Sequence, residues 1–400
     1  MKMKVLILAG NFPPLSLGGA GFSVFGLARG LQKADCEVSV VTTCQDKSGE
    51  KNFKYQGLQI FRIFANYHER WRAYLSLYNP QTVGKVKKLI GKINPDVIHA
   101  HNINWYLSYH CLKIAKEFKK PIFFTARDTM EFTYGKLATQ RYLDNFNTKI
   151  SWSDNLKQAR KRYNPIRNFL IRRYLKNADK IFSVSSALKN ALNQNGIQNV
   201  ETIHTGIDVA DWKIGQDAVR KFKKKYGLSG KKIVFFGGRI SGLKGWGQIN
   251  QAMSIVKKEV PKAVLLVAGE RSLPAGRQGI GWLEGDELKA AYWSADIVVV
   301  PSIYLDPFPR SNLEAMACKR PVVATCYGGS PEIVQDGRTG YVVNPLNAEL
   351  MAKKIIDLLK NPRKAKKLGQ AGYERVKKDF NLDSHVAQTL SWYKLLLQQF

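Results

Sequence analysis

Short apolar runs alternate with amphipathic stretches along this 400-residue chain as far as residue 204. Each run has the length of a strand, and each stretch between is long enough to cross back over a sheet, so the alternation predicts parallel strands joined by helices. The predicted strands are 5–9, 38–42, 96–101, 121–125, 180–184 and 200–204, and the predicted helices are 22–33, 83–93, 107–119, 168–177 and 186–195. The pattern favours an α/β fold with a doubly wound parallel sheet.

The alternation pauses in HTGIDVADW, at 204–212, and then begins again. The second set of predicted strands is 232–237, 263–269, 296–301 and 321–325, with helices at 246–259 and 287–294. A second set of strands implies a second sheet, so we predict two Rossmann-like domains, 1–205 and 216–383, that face a central cleft. Ligands of such sheets bind beyond the carboxyl ends of the strands, which makes the cleft the expected site. The amphipathic stretch 384–400 is predicted to be a helix that packs on one of the two domains.

The charge is strongly positive, with 63 Lys and Arg against 31 Asp and Glu and a net charge of +32. A field of this sign attracts polyanions, anionic lipid surfaces and phosphorylated substrates alike. The 5 cysteines form no CxxC pair, which argues against a disulfide framework or a zinc knuckle and favours a reducing cytosol. The apolar run 5–9 is too short for a signal peptide, and no run approaches the ~18 residues that span a membrane.

Two glycine-rich loops lie where a predicted strand gives way to a helix. In GGRISGLKG, at 237–245, backbone N–H groups and the positive end of the helix would face the cleft, and Arg239 and Lys244 add cations that suit a diphosphate. The loop does not match the dinucleotide pattern GxGxxG, and a solvated basic turn is the alternative. In LGGAG, at 17–21, the glycines either let a ligand approach the backbone or form a tight turn without one.

Two histidines lie in a predicted strand, and two carboxylates follow another. His99 and His101 share one face of a predicted strand, because side chains alternate. A metal site needs further ligands, and none has a convincing spacing, so a polar contact in the cleft and a buried, hydrogen-bonded histidine both stay open. Asp306 and Glu314 lie in DPFPRSNLEAMA, shortly after a buried strand. In the alternative without a ligand, Ser311-x-x-Glu314 is a capping box and Asp306 is an ordinary loop acid.

Taken in order, these stretches resemble the family 4 glycosyltransferases, which are retaining nucleotide-sugar enzymes of GT-B fold. The motifs that carry the resemblance are LGGAG, PDVIHAHN, FSVSSAL, IHTGID, GGRISGLKG, VLLVAGE, SADIVVVPS, DPFPRSNLEAMA and GGSPEIVQDGRTGYVV. The resemblance implies transfer of a sugar, with retention and without a metal, from a UDP-, GDP- or ADP-sugar to a glycan, lipid-linked or small-molecule acceptor. It implies no cofactor beside this substrate. It also implies a donor domain at 216–383 and a helix 384–400 that returns to the acceptor-side domain.

The resemblance further implies roles for the residues that match the family's motifs. The family has a Glu-x7-Glu pattern, whose first acid binds hydroxyls of the donor sugar and whose second binds the ribose, and these map to Asp306 and Glu314. The implied catalytic residues are Arg127, Arg239, Lys244 and Asp306. The implied donor-binding residues are Gly18, Gly19, Gly238, Arg239, Lys244, Glu270, Asp306, Phe308, Pro309, Arg310, Ser311, Asn312 and Glu314. The implied acceptor-side residues are Gly19, His101 and Arg127, and no metal ligand is implied.

The sequence departs from the family at three places. Asp306 stands where Glu is usual, and Arg127 stands where many members have a His that faces the reacting sugar. After VLLVAGE comes RSLPAGRQGIGW in place of a helix and another strand, so an abbreviated pocket for the nucleobase is expected. No D-x-D occurs, which leaves a metal–diphosphate clamp unsupported, and Arg239 and Lys244 would neutralise the leaving diphosphate instead.

The stretch 157–180 is markedly basic, with nine Lys and Arg against one acid. Its aromatic and apolar residues are Tyr163, Ile166, Phe169, Leu170, Tyr174 and Leu175. The combination predicts a cationic helix that docks peripherally on the inner, anionic face of a membrane, with nucleic-acid binding and a solvated face as alternatives. Two rival functions stay open for the chain. One is a nucleic-acid or membrane-binding protein on a degenerate GT-B fold, and the other is a nucleotide-sugar epimerase, which would need carboxylates in the cleft.

Overall fold

The computed structural model describes residues 2–15, 18–238, 240–269, 273 and 277–400. Contacts divide the chain into two compact units. The first unit comprises Met1–Thr139, Asn147–Gly206 and Leu382–Phe400, and the second comprises Gln140–Phe146 and Ile207–Asn381. The sequence-based boundaries put residues 140–146 in the first domain, whereas their contacts put them in the second unit.

Strands and helices alternate through both units. The strands are β1 (Lys4–Ala9), β2 (Glu37–Cys44), β3 (Lys51–Tyr55), β4 (Leu58–Phe64), β5 (Val97–His101), β6 (Ile122–Ala126), β7 (Lys180–Ser183), β8 (Val200–Thr202), β9 (Lys232–Gly237), β10 (Ala263–Ala268), β11 (Arg277–Gly279), β12 (Ile297–Val300), β13 (Val322–Thr325) and β14 (Gly340–Val343). The helices are α1 (Gly19–Lys33), α2 (Arg72–Leu75), α3 (Pro80–Ile93), α4 (His110–Lys116), α5 (Gln140–Asn145), α6 (Trp152–Ala159), α7 (Arg167–Leu175), α8 (Ser186–Gln194), α9 (Gln216–Lys225), α10 (Trp246–Glu259), α11 (Gly285–Ser294), α12 (Arg310–Ala317), α13 (Ser330–Ile333), α14 (Ala348–Lys360), α15 (Pro362–Asp379) and α16 (Leu382–Leu397). Among the described helices, none has the length and apolar character needed to cross a membrane.

The first unit is built on an eight-stranded sheet in the order β3-β4-β2-β1-β5-β6-β7-β8. Neighbouring strands are parallel except β3 and β4, which form an antiparallel hairpin at one edge. Strand β1 pairs with β2 on one side and with β5 on the other, so the order of the strands reverses there. The crevice beyond the carboxyl ends of β1 and β5 is therefore the place where a doubly wound sheet binds ligands.

No strand is predicted from sequence in the segment that forms the β3–β4 hairpin. Strand β3 is largely exposed, and its lysines obscure the apolar alternation that marks a strand. The turn residues Gln56 and Gly57 have φ angles of +46° and +85°, as a two-residue hairpin turn requires. Gln-Gly lacks the Asn or Asp by which such turns are recognised, so this edge strand leaves little trace in the sequence.

Helices cover the first sheet, which explains why its central strands are continuous apolar runs. The C-terminal helix α16 packs against α1, where a side chain at Gly30 would clash with Val386. Val386 and Tyr393 are buried in one core cluster with Ile7 of β1 and Leu27 of α1. The last helix of the chain is thus part of the core of the first unit.

The second unit is built on a six-stranded parallel sheet in the order β11-β10-β9-β12-β13-β14. Strand β9 pairs with β10 and with β12, so the switch point of this sheet lies between β9 and β12. The segment after VLLVAGE still contributes a short strand, because β11 pairs in parallel with β10. Two mainly parallel sheets with connecting helices confirm the predicted fold class.

Candidate functional site

In the second unit, the loops that follow β9 and β12 meet at the carboxyl end of the sheet. Ile303 donates its backbone N–H to Leu243 O at 2.9 Å, which ties the two loops together. Gly245 has a φ of +78°, and a side chain there would clash with the carbonyl oxygen of Pro301, so the close approach needs glycine. The switch point of the sheet therefore carries two loops that are held against each other.

Lys244 and Asp306 form an ion pair at this point. Lys244 Nζ lies 2.7 Å from Asp306 Oδ2, and Ser302 Oγ donates to the same oxygen at 2.9 Å. Burial alone would raise the pKa of Asp306, but the charge and hydrogen bond of Lys244, with the hydroxyls of Tyr304 and Ser302, hold that pKa below its usual value. Asp306 is therefore an ionised acceptor. An ammonium group has three N–H donors, so Lys244 can hold an anion while it keeps its bond to Asp306.

Glu314, on α12, is held by two side chains. Arg310 Nε donates to Oε1 at 2.8 Å, and Tyr292 Oη donates to Oε2 at 2.8 Å. Helix α12 has Pro309 as its N-cap residue and no side-chain cap, so Ser311 lies inside the helix. The alternative of a Ser311–Glu314 capping box is wrong, because the extended backbone of Pro309 starts the helix before Ser311 is reached.

Tyr292, on α11, is a site residue that the sequence analysis missed. Its ring is buried edge-on against those of Phe235 and Trp212, with centroids 4.9 Å and 5.4 Å away. Burial, followed by the charge of Glu314, raises the pKa of Tyr292 well above its usual value, so the hydroxyl stays a donor. In the sequence this tyrosine is typical of a buried helix face, and only its contact with Glu314 identifies its role.

A third loop, residues 326–330, follows β13 and contacts Asp306; we name it the Gly328 loop. Gly329 donates its N–H to Asp306 O at 2.9 Å, and a side chain at Gly328 would clash with the Asp306 backbone. Asn312 Nδ2 donates to Ser330 Oγ at 3.1 Å, while the buried Asn312 Oδ1 has no partner in the described part of the chain. The backbone of Asp306 is thus fixed from the side opposite Lys244's loop by a second glycine-rich segment.

The remaining predicted donor-binding residues have separate places. Phe308 packs against the core of the second unit, with its ring 5.6 Å from that of Phe380. Gly238 directly follows β9 and has a φ of +147°. Arg239 and Glu270 lie outside the described residues. Phe308 therefore supports the segment between Asp306 and α12 from the core.

In the first unit, the two predicted histidines lie side by side at the end of β5. The His99 and His101 rings are 3.9 Å apart, and both are buried. The nitrogens of His99 lie 2.6 Å and 2.7 Å from the hydroxyls of Tyr393 and Thr125, whereas neither nitrogen of His101 has a partner among the described residues. Burial above all, and also the charge of Arg127, lower the pKa of both histidines well below the usual value, so both are neutral.

The two histidines differ in their hydrogen bonds, and neither belongs to a metal site formed by residues that the structure describes. Within the described residues, no group of three His, Cys, Asp or Glu could hold a metal ion. His99 is the buried, hydrogen-bonded histidine, whereas His101 is equally buried and has no hydrogen-bond partner among the described residues. Arg127 directly follows β6, and Gly18 and Gly19 form the N-cap and first residue of α1. All these predicted residues belong to the first unit.

A polar cluster beside Arg127 was not predicted. Asn104 Nδ2 donates to both carboxylate oxygens of Asp128, at 3.0 Å and 3.1 Å, and Arg72 Nη2 donates to Asn104 Oδ1 at 3.3 Å. The Arg72 guanidinium lies 3.7 Å from the centroid of the Trp105 ring, whose Nε1 is unpartnered among the described atoms. Such side chains bind polyols through hydrogen bonds and ring contacts. The position of Asn104, Trp105 and Asp128 just after β5 and β6 is the signal that could have found them, whereas Arg72 lies on α2.

The basic stretch 157–180 is not one cationic helix. It contains the end of α6, a 3₁₀ turn at Arg160–Arg162 and α7. Arg167 is buried and donates to the carbonyl oxygens of Met130 and Thr133 at 2.6 Å and 2.9 Å, and Leu175 is buried as well. The prediction that they dock on a membrane is wrong for these two residues. The Arg167 guanidinium is bound to two backbone acceptors inside the unit, and Leu175 is part of the buried interior.

Ile166 and Phe169 of the stretch are exposed, as are Trp71 and Tyr74 of another segment of the first unit. We define the aromatic surface as Trp71, Tyr74, Ile166 and Phe169, whose exposed fractions are 49%, 47%, 58% and 60%. Asn164 Nδ2 donates to Ala73 O at 3.1 Å, which joins the segment of Trp71 and Tyr74 to the one that leads into α7. Beside Phe169, a groove of ≈ 730 Å³ lies along α7 and β7, and its lining includes the cations Arg172, Arg173 and Lys176.

Two family models match the chain and together span most of it. Residues 17–211 match the model for Glycosyltransferase Family 4, and residues 218–375 match the model for Glycosyl transferases group 1. An uncharacterized glycosyltransferase of Methanocaldococcus jannaschii is 24% identical over 417 residues, which cover 99% of this chain and 99% of the relative.

Solved structures resemble the chain over its whole length. Sucrose-phosphate synthase from Thermosynechococcus elongatus matches with a TM-score of 0.79 at 21% identity and covers 100% of both chains. Anabaena HepE in complex with UDP-glucose matches with a TM-score of 0.70 at 18% identity, over 97% of this chain and 99% of that chain. At these identities the likeness shows the fold alone, and that fold is GT-B, as predicted.

Proposed function

The chain belongs to the glycosyltransferases, with a Family 4 domain followed by a group 1 domain, and we propose that it transfers a sugar from a nucleotide-diphosphate sugar to an acceptor. The observation that carries this proposal is the Lys244–Asp306 pair at the switch point of the second sheet. It combines a cation suited to a diphosphate with an ionised carboxylate suited to sugar hydroxyls. The Anabaena relative, whose solved structure contains UDP-glucose, supports this class of donor.

The donor would lie along the loops at the carboxyl end of the second sheet. Lys244 would hold the diphosphate, assisted by the N–H groups that open α12. Asp306 would accept hydrogen bonds from neighbouring hydroxyls of the sugar. Glu314, oriented by Arg310 and Tyr292, would accept from hydroxyls of the ribose.

The proposed mechanism is transfer with retention and without a metal. The bond from the sugar's C1 to the diphosphate oxygen would break on the same face on which the acceptor oxygen forms its bond. Lys244 and Arg239 would stabilise the negative charge that grows on the diphosphate, and a departing phosphate oxygen would take the proton of the acceptor. Arg127 would supply a permanent positive charge where many members of the family have a histidine that faces the reacting sugar. A chelator should then leave the rate nearly unchanged, and strict dependence on Mg²⁺ or Mn²⁺ would contradict the mechanism.

A panel of nucleotide sugars tests the proposed function. A donor that binds the folded state raises the melting temperature, so we would record thermal shifts with UDP-, GDP- and ADP-sugars and assay release of the nucleoside diphosphate. We expect one series to raise the melting temperature and Lys244→Ala to abolish that rise. Lys257→Ala, at an exposed lysine on α10, should keep it. No response to any member of the panel would overturn the proposal.

The first unit is also proposed to attach peripherally to anionic membranes, where a lipid-linked acceptor would be found. The aromatic surface supports this, because exposed rings beside cations favour the interface between water and lipid. The cations along the groove beside Phe169 would meet the phosphate groups, each contributing about 1 kcal/mol near an anionic surface.

Co-sedimentation with vesicles tests the attachment. The double variant Arg173→Glu/Lys176→Glu should bind anionic vesicles roughly tenfold more weakly or worse, and added salt should weaken binding by the unchanged protein. The matched control is Lys221→Glu/Lys224→Glu, which makes the same change of charge on the exposed face of α9 in the second unit. Equal binding to neutral vesicles, or an equal loss of binding in the control variant, would show that the surface is an ordinary solvated face.

A further inference from the structure

Helix α5 belongs to the second unit although the chain on both sides of it belongs to the first. Its Tyr142 is buried, and the ring lies 5.6 Å from that of Tyr327 and 6.2 Å from that of Phe146. The rings of Phe146 and Tyr327 are 5.7 Å apart, so the three form one aromatic cluster. Because Tyr327 lies in the Gly328 loop, the aromatic cluster packs α5 against a loop of the candidate site.

Two hydrogen bonds complete this contact. Tyr142 Oη accepts the backbone N–H of Gly328 at 2.8 Å, and Tyr327 Oη donates to Leu143 O at 2.9 Å. Gly328 has a φ of +66°, in the left-handed region that glycine enters with little cost. A glycine has no side chain to hold it in this conformation, so the Tyr142 hydroxyl is the group that fixes the direction of the Gly328 N–H.

The Gly328 loop in turn holds Asp306. The next residue, Gly329, donates its N–H to Asp306 O at 2.9 Å, and Gly328 approaches the Asp306 backbone too closely for any side chain. The carboxylate of Asp306 is the group that Lys244 meets at 2.7 Å. A displacement of the loop would therefore move this carboxylate, and sites of this kind tolerate displacements of only about 0.5 Å.

We propose that Tyr142 is a positioning residue for sugar transfer: its hydroxyl fixes the Gly328 loop, and the loop fixes Asp306 in the donor site. The proposal rests on the proposed function in one respect, namely that Asp306 binds the donor. Tyr142 lies in none of the motifs that carry the family resemblance. Its proposed role is therefore inferred from the contacts of α5.

Tyr142→Phe tests the proposal, because it removes the hydroxyl and keeps the ring in the aromatic cluster. We expect the Kd and KM for the donor to rise roughly three- to tenfold, the range that the net contribution of one hydrogen bond gives, with a smaller change in kcat. Hydrogen exchange at the Gly328 amide should become faster, because the N–H loses its acceptor. The melting temperature should stay near that of the unchanged protein, since the packing of the rings is kept.

The matched control is Tyr341→Phe, which removes a hydroxyl that donates to Asp357 Oδ2 at 2.7 Å elsewhere in the second unit. It should leave the donor Kd, the donor KM and exchange at Gly328 unchanged. Unaltered donor Kd and KM in Tyr142→Phe would overturn the positioning role. Asp306→Asn separates the two proposals: if that variant also binds the donor normally, the role of Asp306 in the proposed function fails, and if it loses the donor, only the role of Tyr142 does.

Discussion

Asp306 and Glu314 are two carboxylates on one loop–helix segment, and their hydrogen-bond partners hold them to different degrees. Asp306 meets the ammonium of Lys244, which stands on a flexible stem and can turn its donors toward an incoming anion. Glu314 has each oxygen engaged by a separate donor, and one of these donors is the buried phenol of Tyr292. We therefore expect Asp306 to share Lys244 with the donor and to accept further hydrogen bonds when a donor binds, and we expect Glu314 to act as a fixed acceptor.

Glu314→Gln should weaken nucleotide binding at little cost in stability. The amide oxygen can still accept from Tyr292, so the buried hydroxyl keeps a partner, but the charge that strengthens bonds to the ribose is lost. Hydrogen bonds to charged groups contribute about 1.5–3 kcal/mol, so the nucleotide Kd should rise on the order of tenfold or more in titration calorimetry.

Unfolding measurements on a neighbouring variant provide the control for this prediction. Ser311→Ala should change the free energy of unfolding by less than about 0.5 kcal/mol, because Ser311 caps nothing, whereas loss of a cap costs ~1 kcal/mol. If Glu314→Gln kept the nucleotide Kd and melted early, Glu314 would be a structural residue only.

The two carboxylates proposed to bind the donor were predictable from sequence, whereas the residues that hold them were not. Asp306 and Glu314 belong to one short motif that follows a strand, and such local patterns survive in a linear sequence. Tyr292 and Tyr142 are distant along the chain, and each acts through a single hydroxyl contact that tertiary packing creates. Helical stretches with a tyrosine are common, so no pattern separates a core ring from one that orients a site.

At the scale of elements, α16 completes a buried polar cluster against β5. Tyr393 on α16 bonds to His99 at 2.6 Å, and His385 Nδ1 lies 2.6 Å from a backbone carbonyl oxygen of the first unit. Burial, followed by the charge of Arg127, lowers the pKa of His385 to about 4, and burial above all lowers the pKa of His99 and His101 well below 6.5. The packing of the helix therefore requires neutral histidines.

The first unit should consequently lose stability below the ordinary range of histidine titration. The folded pKa values lie below the unfolded value of about 6.5, so the unfolded chain binds more protons and the free energy of unfolding falls as the pH drops through about 6.5. For His385, the shift in pKa from 6.5 to about 4 contributes on the order of 3 kcal/mol to the free energy of unfolding at neutral pH. Nearly all of this contribution is lost once the pH falls to the pKa of the folded state.

Urea unfolding between about pH 7.5 and pH 5, followed in the first unit, measures this slope, with most exposed carboxylates still ionised. His385→Asn is the informative variant, because its amide can still donate to the carbonyl oxygen of His204 and does not titrate. It should flatten the dependence on pH. Identical slopes in the two proteins would show that His385 is not protonated on unfolding.

Strands and helices were predictable where burial produces a strong pattern of apolar residues. They were not predictable where the type of element, or the unit to which it belongs, depends on tertiary contacts. The central strands of both sheets are continuous apolar runs because helices cover both faces. Strand β3 is exposed at an edge, and α5 is only 6 residues long, so neither has a periodicity that stands out. Tyr142 is the buried residue of α5, and its contacts with Tyr327 and Gly328 connect the helix to the second unit.

At the scale of the whole chain, neither unit is one continuous segment. The second unit takes in Gln140–Phe146, and the first unit takes in Leu382–Phe400, so the chain's last helix contributes to the unit with which the chain begins. Changes at the C-terminal end should therefore affect the core of the first unit and not the second unit, which precedes this helix in sequence.

A chain that ends at Asn381 should accordingly lose the stability of the first unit and keep that of the second. Removal of α16 takes Val386 and Tyr393 out of the first core and leaves His99 without one of its two partner hydroxyls. Deleting one large buried side chain costs about 2–5 kcal/mol, so the loss approaches the whole stability of an ordinary domain, about 5–15 kcal/mol.

Scanning calorimetry with and without the nucleotide found in the panel resolves the outcome. We expect the shortened chain to lose the transition of the first unit or to show it at a much lower temperature. The second transition should persist and still rise with nucleotide by mass action, because Lys244, Asp306 and Glu314 all precede the truncation. A chain that ends at Leu397 keeps the whole of α16 and should behave like the unchanged protein. If the chain ending at Asn381 lost its nucleotide response while its first transition stayed in place, α16 would support the donor site and not the first core, contrary to the burial of Val386 and Tyr393.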